Sequence, residues 1–155
     1  MGKKTGPNPT DRGKCGTKIS LATDAAGVPL AVVVAGANRN DHKLLNETLA
    51  NAERARPAYR HGDHGLCLDK GYDYPITVDL AKFYGYELHL RCRGEDVAQL
   101  PSGWKPRRWV VERSHSWMHR SRRLLVRWEK KAANFLAFIH LACAFICFDA
   151  HSLTG

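Results

Sequence analysis

Residues 66–91 read "LCLDKGYDYPITVDLAKFYGYELHLR", and the order of elements in this stretch restricts the fold more than any other. "LCLD" is a short apolar run ending on Asp69. Pro75 then stands where a first helical residue tolerates its ring, Ile76, Leu80 and Phe83 follow at i, i+4 and i+7, and Gly85 is the stop. "YELHLR" alternates Tyr86, Leu88 and Leu90 against Glu87, His89 and Arg91, the pattern of a strand with one buried face. Strand, helix and strand make a βαβ unit, whose sheet needs helices to cover it. Asp69 therefore sits where a buried strand would surface.

The flanking segments supply the cover. "TKISLATDAAGVPLAVVVAGA" holds two β-rich runs around Asp24-Ala25-Ala26-Gly27, a hairpin turn in which Gly27 can take a positive φ. Asp41 is placed to cap "HKLLNETLANAERAR", where Leu45, Leu49 and Ala52 recur at helical spacing, and Pro57 limits that helix. "PAYRHGDHG" reads as a loop, and "CRGEDVAQLPSG" as a turn-rich connection. Pro106 can open a long helix through about Arg127, and a last helix starts at Ala132. The order ββαβαβαα predicts a mixed α/β domain over residues 17–150, preceded by a mobile basic lead-in over 1–16 and followed by a tail over 151–155.

Five cysteines, an odd number without a C-x-x-C pair, and an N-terminus lacking any apolar run point to a reducing, cytoplasmic setting with free thiols. Basic residues exceed acidic ones to give a net charge of +9. The excess is concentrated over residues 105–131, where ten Lys and Arg face only Glu112 and Glu129, which implies a polyanionic partner. A membrane is the weaker choice, because "AANFLAFIHLACAFICF" is interrupted by Asn134 and His140 and is shorter than the ~20 residues of a span. It reads instead as a buried core helix.

Along "PRRWVVERSHSWMHRSRRLLVRW", Arg108, Glu112, His115, His119 and Arg122 share a narrow stripe at 100° per residue, while Val110, Trp117, Leu124 and Trp128 lie opposite. One face suits the core, with Trp117 and Trp128 packed in it. The other presents one carboxylate among cations, where a solvated face would alternate its charges. Asp69 and Glu112 together suggest metal-assisted phosphodiester chemistry, since Mg²⁺ takes a few carboxylates plus phosphate oxygens. The plainer role for each is a cap or an ion pair. Asp11 and Asp24 read as turn residues. His61, His64 and Cys67 raise a zinc reading, but no fourth ligand is evident and a polar loop is preferred. Cys143 and Cys147, one helical turn apart, read as small buried hydrophobes.

"GPNPTDRGKCGTKISLATDAAGVPLAV", "LDKGYDYP" and "RRWVVERSHSWMHRSRRLLVRWEKKAANFLAFIHLACAFI" together resemble the C-terminal catalytic portion of a DDE transposase from a bacterial insertion sequence. The likeness runs from Gly6 to about Phe148. It implies a ribonuclease-H-like mixed sheet flanked by helices, and three acidic residues that bind two Mg²⁺ ions for cleavage and strand transfer at transposon ends. By motif match Asp69 is the second acidic residue and Glu112 the third, both catalytic metal ligands. Arg108 matches the arginine of the family's Y-x2-R-x3-E-x6-K signature. The same resemblance makes Arg108, His119, Arg120, Arg122 and Arg123 DNA contacts.

The chain departs from that pattern at Lys105, in the place of the tyrosine, and at His119, in the place of the lysine. The first acidic residue and its central strand would precede Met1. The resemblance therefore implies a fold lacking its first strand, inactive alone, and completed by the upstream transposase segment in trans or by frameshift. It also implies an oligomer when active, with transposon ends and target DNA as partners. The rival expectations are a DNA-binding remnant without chemistry and a small zinc protein.

Overall fold

The structure, a computed structural model, describes residues 4–55, 64–90 and 108–152. One turn is built by a single carboxylate: Asp24 Oδ1 accepts hydrogen bonds from the backbone N–H groups of Ala26 and Val28, each at 2.8 Å. Gly27 closes the turn at φ 85°, as its position in the sequence predicts. The turn joins β2 (Cys15–Thr23) to β3 (Pro29–Gly36) in antiparallel register, with Ile19 opposite Val34 and Leu21 opposite Val32.

Alternation along β3 sends its side chains to two different layers. Val33 and Ala35 pack with Leu44 of α1 (His42–Ala55). On the other face Val34 joins Met118, Leu124, Phe135 and Ile139, drawn from α3 (Arg108–His119), α4 (Arg122–Leu125) and α5 (Ala132–Ser152). The sheet is thus covered on both sides, the mixed α/β class that the sequence predicts.

The βαβ unit forms as expected. β4 (His64–Leu68) and β5 (Tyr86–Leu90) are parallel, with Leu66 opposite Leu88, and α2 (Pro75–Phe83) crosses between them. This pair is a sheet of its own, not hydrogen-bonded to the β2–β3 sheet. Side chains on α1 tie the two together: Tyr84 donates to Asn46 Oδ1 at 2.8 Å, Tyr86 donates to Glu53 Oε1 at 2.7 Å, and the His42 ring lies 4.0 Å from that of Tyr74.

Four expectations need correcting. Within the lead-in, Gly6–Pro7 forms a short strand, β1, paired antiparallel with Cys15 and Gly16, and Asn8 Oδ1 accepts from the N–H of Thr10, so this segment has defined backbone pairing. The basic helix does not continue to Arg127. It ends at His119, and Arg120 and Ser121 bond to carbonyls three residues back before Ser121 turns extended. "RSRR" crowds three guanidinium groups around a serine that competes for backbone hydrogen bonds, which favours such a break. The helical period ends with α4 at Leu125, and Trp128, expected in the core, is 75 % exposed.

The last correction concerns α5. It runs for 21 residues, long and apolar enough to cross a membrane by length and composition. Only Phe135 and Ile139 are fully buried along it, while Leu141, Phe145 and Phe148 are exposed. It is a one-sided core helix rather than a buried one. The turn-rich segment after Leu90, Lys105, Pro106 and His61 lie outside the described residues.

Candidate active site

Asp69 follows directly on β4, with extended backbone, and caps the 3₁₀ turn Lys70–Tyr72. Its Oδ1 accepts the Gly71 N–H at 2.7 Å. The capping role and the exposed-carboxylate role are therefore compatible: one oxygen fixes the side chain, and the second is left for another partner. The side chain is half-buried, at the end of the strand.

The turn it caps is bolted to β2 through Tyr72. The Tyr72 hydroxyl is hydrogen-bonded with Ser20, and burial, followed by the negative charges of Asp41 and Asp69, pushes its pKa up to about 12. Ser20 is buried and lies 2.9 Å from Thr48 Oγ1, which donates in turn to the Leu44 carbonyl. Asp41, beside this chain, pairs with Lys18 at 3.1 Å. Sequence reasoning gave Asp41 only a cap and gave Tyr72 no role. Neither signal is local, because Tyr72 and Ser20 are 52 residues apart and meet only in the fold.

Removing that hydroxyl should cost about 1 kcal/mol at neutral pH, the net worth of one hydrogen bond. The raised pKa sets the pH dependence. The fold holds the tyrosine proton up to about pH 12, whereas the unfolded chain loses it near 10, so this contribution is present below pH 10 and is lost as pH rises toward 12. The stability gap between wild type and Tyr72→Phe, read from denaturant melts, should shrink over that interval. A gap that stays constant would mean that Tyr72 is not held protonated.

Glu112 lies on the exposed side of the first turns of α3. That helix is fixed by its neighbours: Arg113 donates to the Ala26 carbonyl, and buried Ser114 donates to the Gly27 carbonyl at 2.6 Å. A Cβ on Gly27 would meet Ser114 Oγ at 3.0 Å, so glycine is needed both for the turn and for the approach of α3. Asp24 and Asp11 are used locally, Asp24 in the turn and Asp11 in a 3.5 Å pair with Lys14.

Asp69 and Glu112 thus stand on different elements around β2, and among the described residues no group of three or more His, Cys, Asp or Glu is gathered as for a metal ion. His64 and Cys67 do not form a zinc pair, because β4 sends His64 inward with Leu66 and Leu68, and Cys67 outward with Gly65. Cys143 and Cys147 are half-buried, and burial first and the neighbouring Cys147 second raise the Cys143 thiol to about 11, consistent with inert packing.

The cationic stripe divides. His119, Arg120 and Arg122 are exposed where α3 gives way to α4. Arg123 is held at 3.3 Å from the buried Glu129 carboxylate and lies over the Phe138 ring at 4.7 Å. His115, half-buried, has its pKa lowered, by burial first and by His119 second, so the inner imidazole stays neutral at pH 7 while its ring stands 6.1 Å from that of His119. The side chain of Arg108 lies outside the described residues.

The transposase DDE domain family matches residues 2–147. A Burkholderia cepacia protein assigned as transposase of insertion sequence element IS402 is 38 % identical over 151 residues, covering 94 % of this chain and 69 % of that protein. No solved structure matches. With nearly its whole length inside the family match and a relative of this identity, the chain belongs to the DDE transposases of insertion sequences.

Proposed function

We propose that the chain acts in DNA transposition, contributing two carboxylates to a Mg²⁺-dependent site that cleaves DNA ends and transfers the strand. The observation that carries this reading is Asp69: a strand-end carboxylate with one oxygen anchored by the Gly71 N–H, so that the other is presented in a fixed direction. Oxygen donors of this kind suit Mg²⁺, which is commonly held by one or two carboxylates together with substrate phosphates. Asp69 and Glu112 would hold it. The bound ion would supply charge stabilisation at the phosphoryl oxygens and a more acidic attacking hydroxyl or water. The chain's own part is to hold Asp69 through Gly71 and Tyr72, to hold the helix of Glu112 against the β2–β3 turn, and to present His119, Arg120 and Arg122 to the phosphate backbone.

The same reading gives a use to the open sheet edges. Among the described residues β4 is paired on one side, by β5, and β2 from Thr17 onward is paired with β3 alone. An added strand bearing a third carboxylate, supplied in the same polypeptide or in trans, would pair with both edges and bring the two sheets into one. A polypeptide carrying that strand, mixed with this chain and transposon-end DNA, should give nicking that a chelator stops and Mg²⁺ restores. Nicking unaffected by the chelator would refute the metal reading.

A further inference from the structure

A second cationic feature lies away from the α3–α4 stripe. A groove of about 580 Å³ opens between the end of β3, the loop after it and the first turns of α1, and Lys4, Asn38, Arg39, Asn40, Lys43 and Glu47 stand along it. Three cations face one carboxylate. Several cations close to the cores are engaged instead: Lys18 pairs with Asp41, Arg123 with Glu129, and Arg127 donates to Thr17 Oγ1 at 2.7 Å. The side chains of Lys4, Arg39 and Lys43 make no ion pair or hydrogen bond among the described residues, although Glu47 is one helical turn from Lys43.

The groove is a built feature. Asn38 is seated over Gly6 and Gly36, and a Cβ on Gly36 would stand 2.8 Å from Asn38 Oδ1 and 3.1 Å from the Thr5 backbone, so the small residues leave the space that the asparagine fills. Its position is also informative. Asn40 and Lys43 flank Asp41 and His42, which reach the Asp69 turn through the charge of Asp41 on Tyr72 and the contact of His42 with Tyr74. The groove thus adjoins the start of α1, the element that contacts the Asp69 turn.

We propose that this groove binds the sugar-phosphate backbone of DNA as a second track, separate from the α3–α4 stripe, with Lys4, Arg39 and Lys43 on successive phosphates and Asn38 and Asn40 as neutral donors. Unpaired lysine and arginine in a concave surface are suited to phosphodiesters, and the repeating charge of a polynucleotide engages all three at once. The inference rests on the reading of the chain as acting on DNA.

The test is binding of a labelled duplex of arbitrary sequence by anisotropy, from ~50 to ~200 mM salt. Lys4→Ala/Arg39→Ala/Lys43→Ala should flatten the log–log salt slope by about 2.7, at about 0.9 per lost phosphate contact, and Arg120→Ala/Arg122→Ala by about 1.8. Glu47→Gln should tighten binding about threefold, since one opposing charge is removed from the wall. If the stripe variant flattens the slope and the groove variant does not, the second track is wrong while the general reading stands. If the groove variant alone flattens it, the groove holds and the stripe assignment fails. Loss of duplex binding to inorganic phosphate at constant ionic strength would assign a single-anion site and overturn the polynucleotide.

Discussion

Asp69→Asn should reduce Mg²⁺-dependent nicking about 10³-fold in the completed assembly, equivalent to the several kcal/mol that a metal contributes at a phosphoryl centre. It should leave the fold intact. The reason lies in the two separate uses of the side chain. Oδ1 accepts the Gly71 N–H at 2.7 Å, and an asparagine carbonyl can make that bond equally well, since Asn and Asp are comparable caps. What Asn cannot offer is an anionic oxygen for a hard cation. Asp69→Ala should lose the cap as well, costing ~1 kcal/mol, and so lower the melting temperature by about 3 °C in a chain of this size. The pair of variants therefore separates the two roles: Asn loses chemistry alone, and Ala loses chemistry and stability. Near-normal nicking by Asp69→Asn at matched Mg²⁺ would remove Asp69 from the metal site.

How much of this was readable beforehand follows the range of each interaction. The Asp24–Gly27 turn and the βαβ unit are written in signals a few residues long: a side-chain oxygen two and four residues from its donors, a glycine where φ must be positive, a proline at a first helical turn. These were legible. The break at Arg120–Ser121 was not, because the apolar period reaches across it to Leu124, which is buried in the same cluster as Met118 even though the helix between them is interrupted. Asp69 could be singled out from its strand-end position. Its setting could not, since Ser20 comes from β2 and Asp41 and Thr48 from the start and middle of the α1 region, and no spacing pattern links them to Tyr72. The groove residues Lys4, Arg39 and Lys43 were hidden for the same reason: they are scattered in sequence, whereas residues 105–131 advertise their charge as a run.

The apolar run of α5 gives the sharpest case of a sequence that names an element without naming its buried side, and truncations along it should reveal that side. Phe135 is 2 % exposed, against Val34, Met118, Leu124 and Ile139, with the Arg127 guanidinium over its ring at 5.1 Å. Phe145 and Phe148, on the same helix, are 62 % and 70 % exposed. Phe135→Ala removes a ring from a closed cluster and leaves a cavity that β3 and α3 cannot fill without moving, so it should cost about 3–5 kcal/mol. Against a domain stability on the order of 5–15 kcal/mol, that is enough to drop the melting temperature by about 10 °C or to unfold the chain at 37 °C. Phe148→Ala removes a ring already in solvent and should change stability by less than ~0.5 kcal/mol. Composition treats the two phenylalanines alike, and only the packing of α5 on β3, α3 and α4 distinguishes them. Equal losses for both variants, or a larger loss at Phe148, would mean that α5 buries the opposite face, and the Val34–Met118–Ile139 cluster would not be the core of this protein.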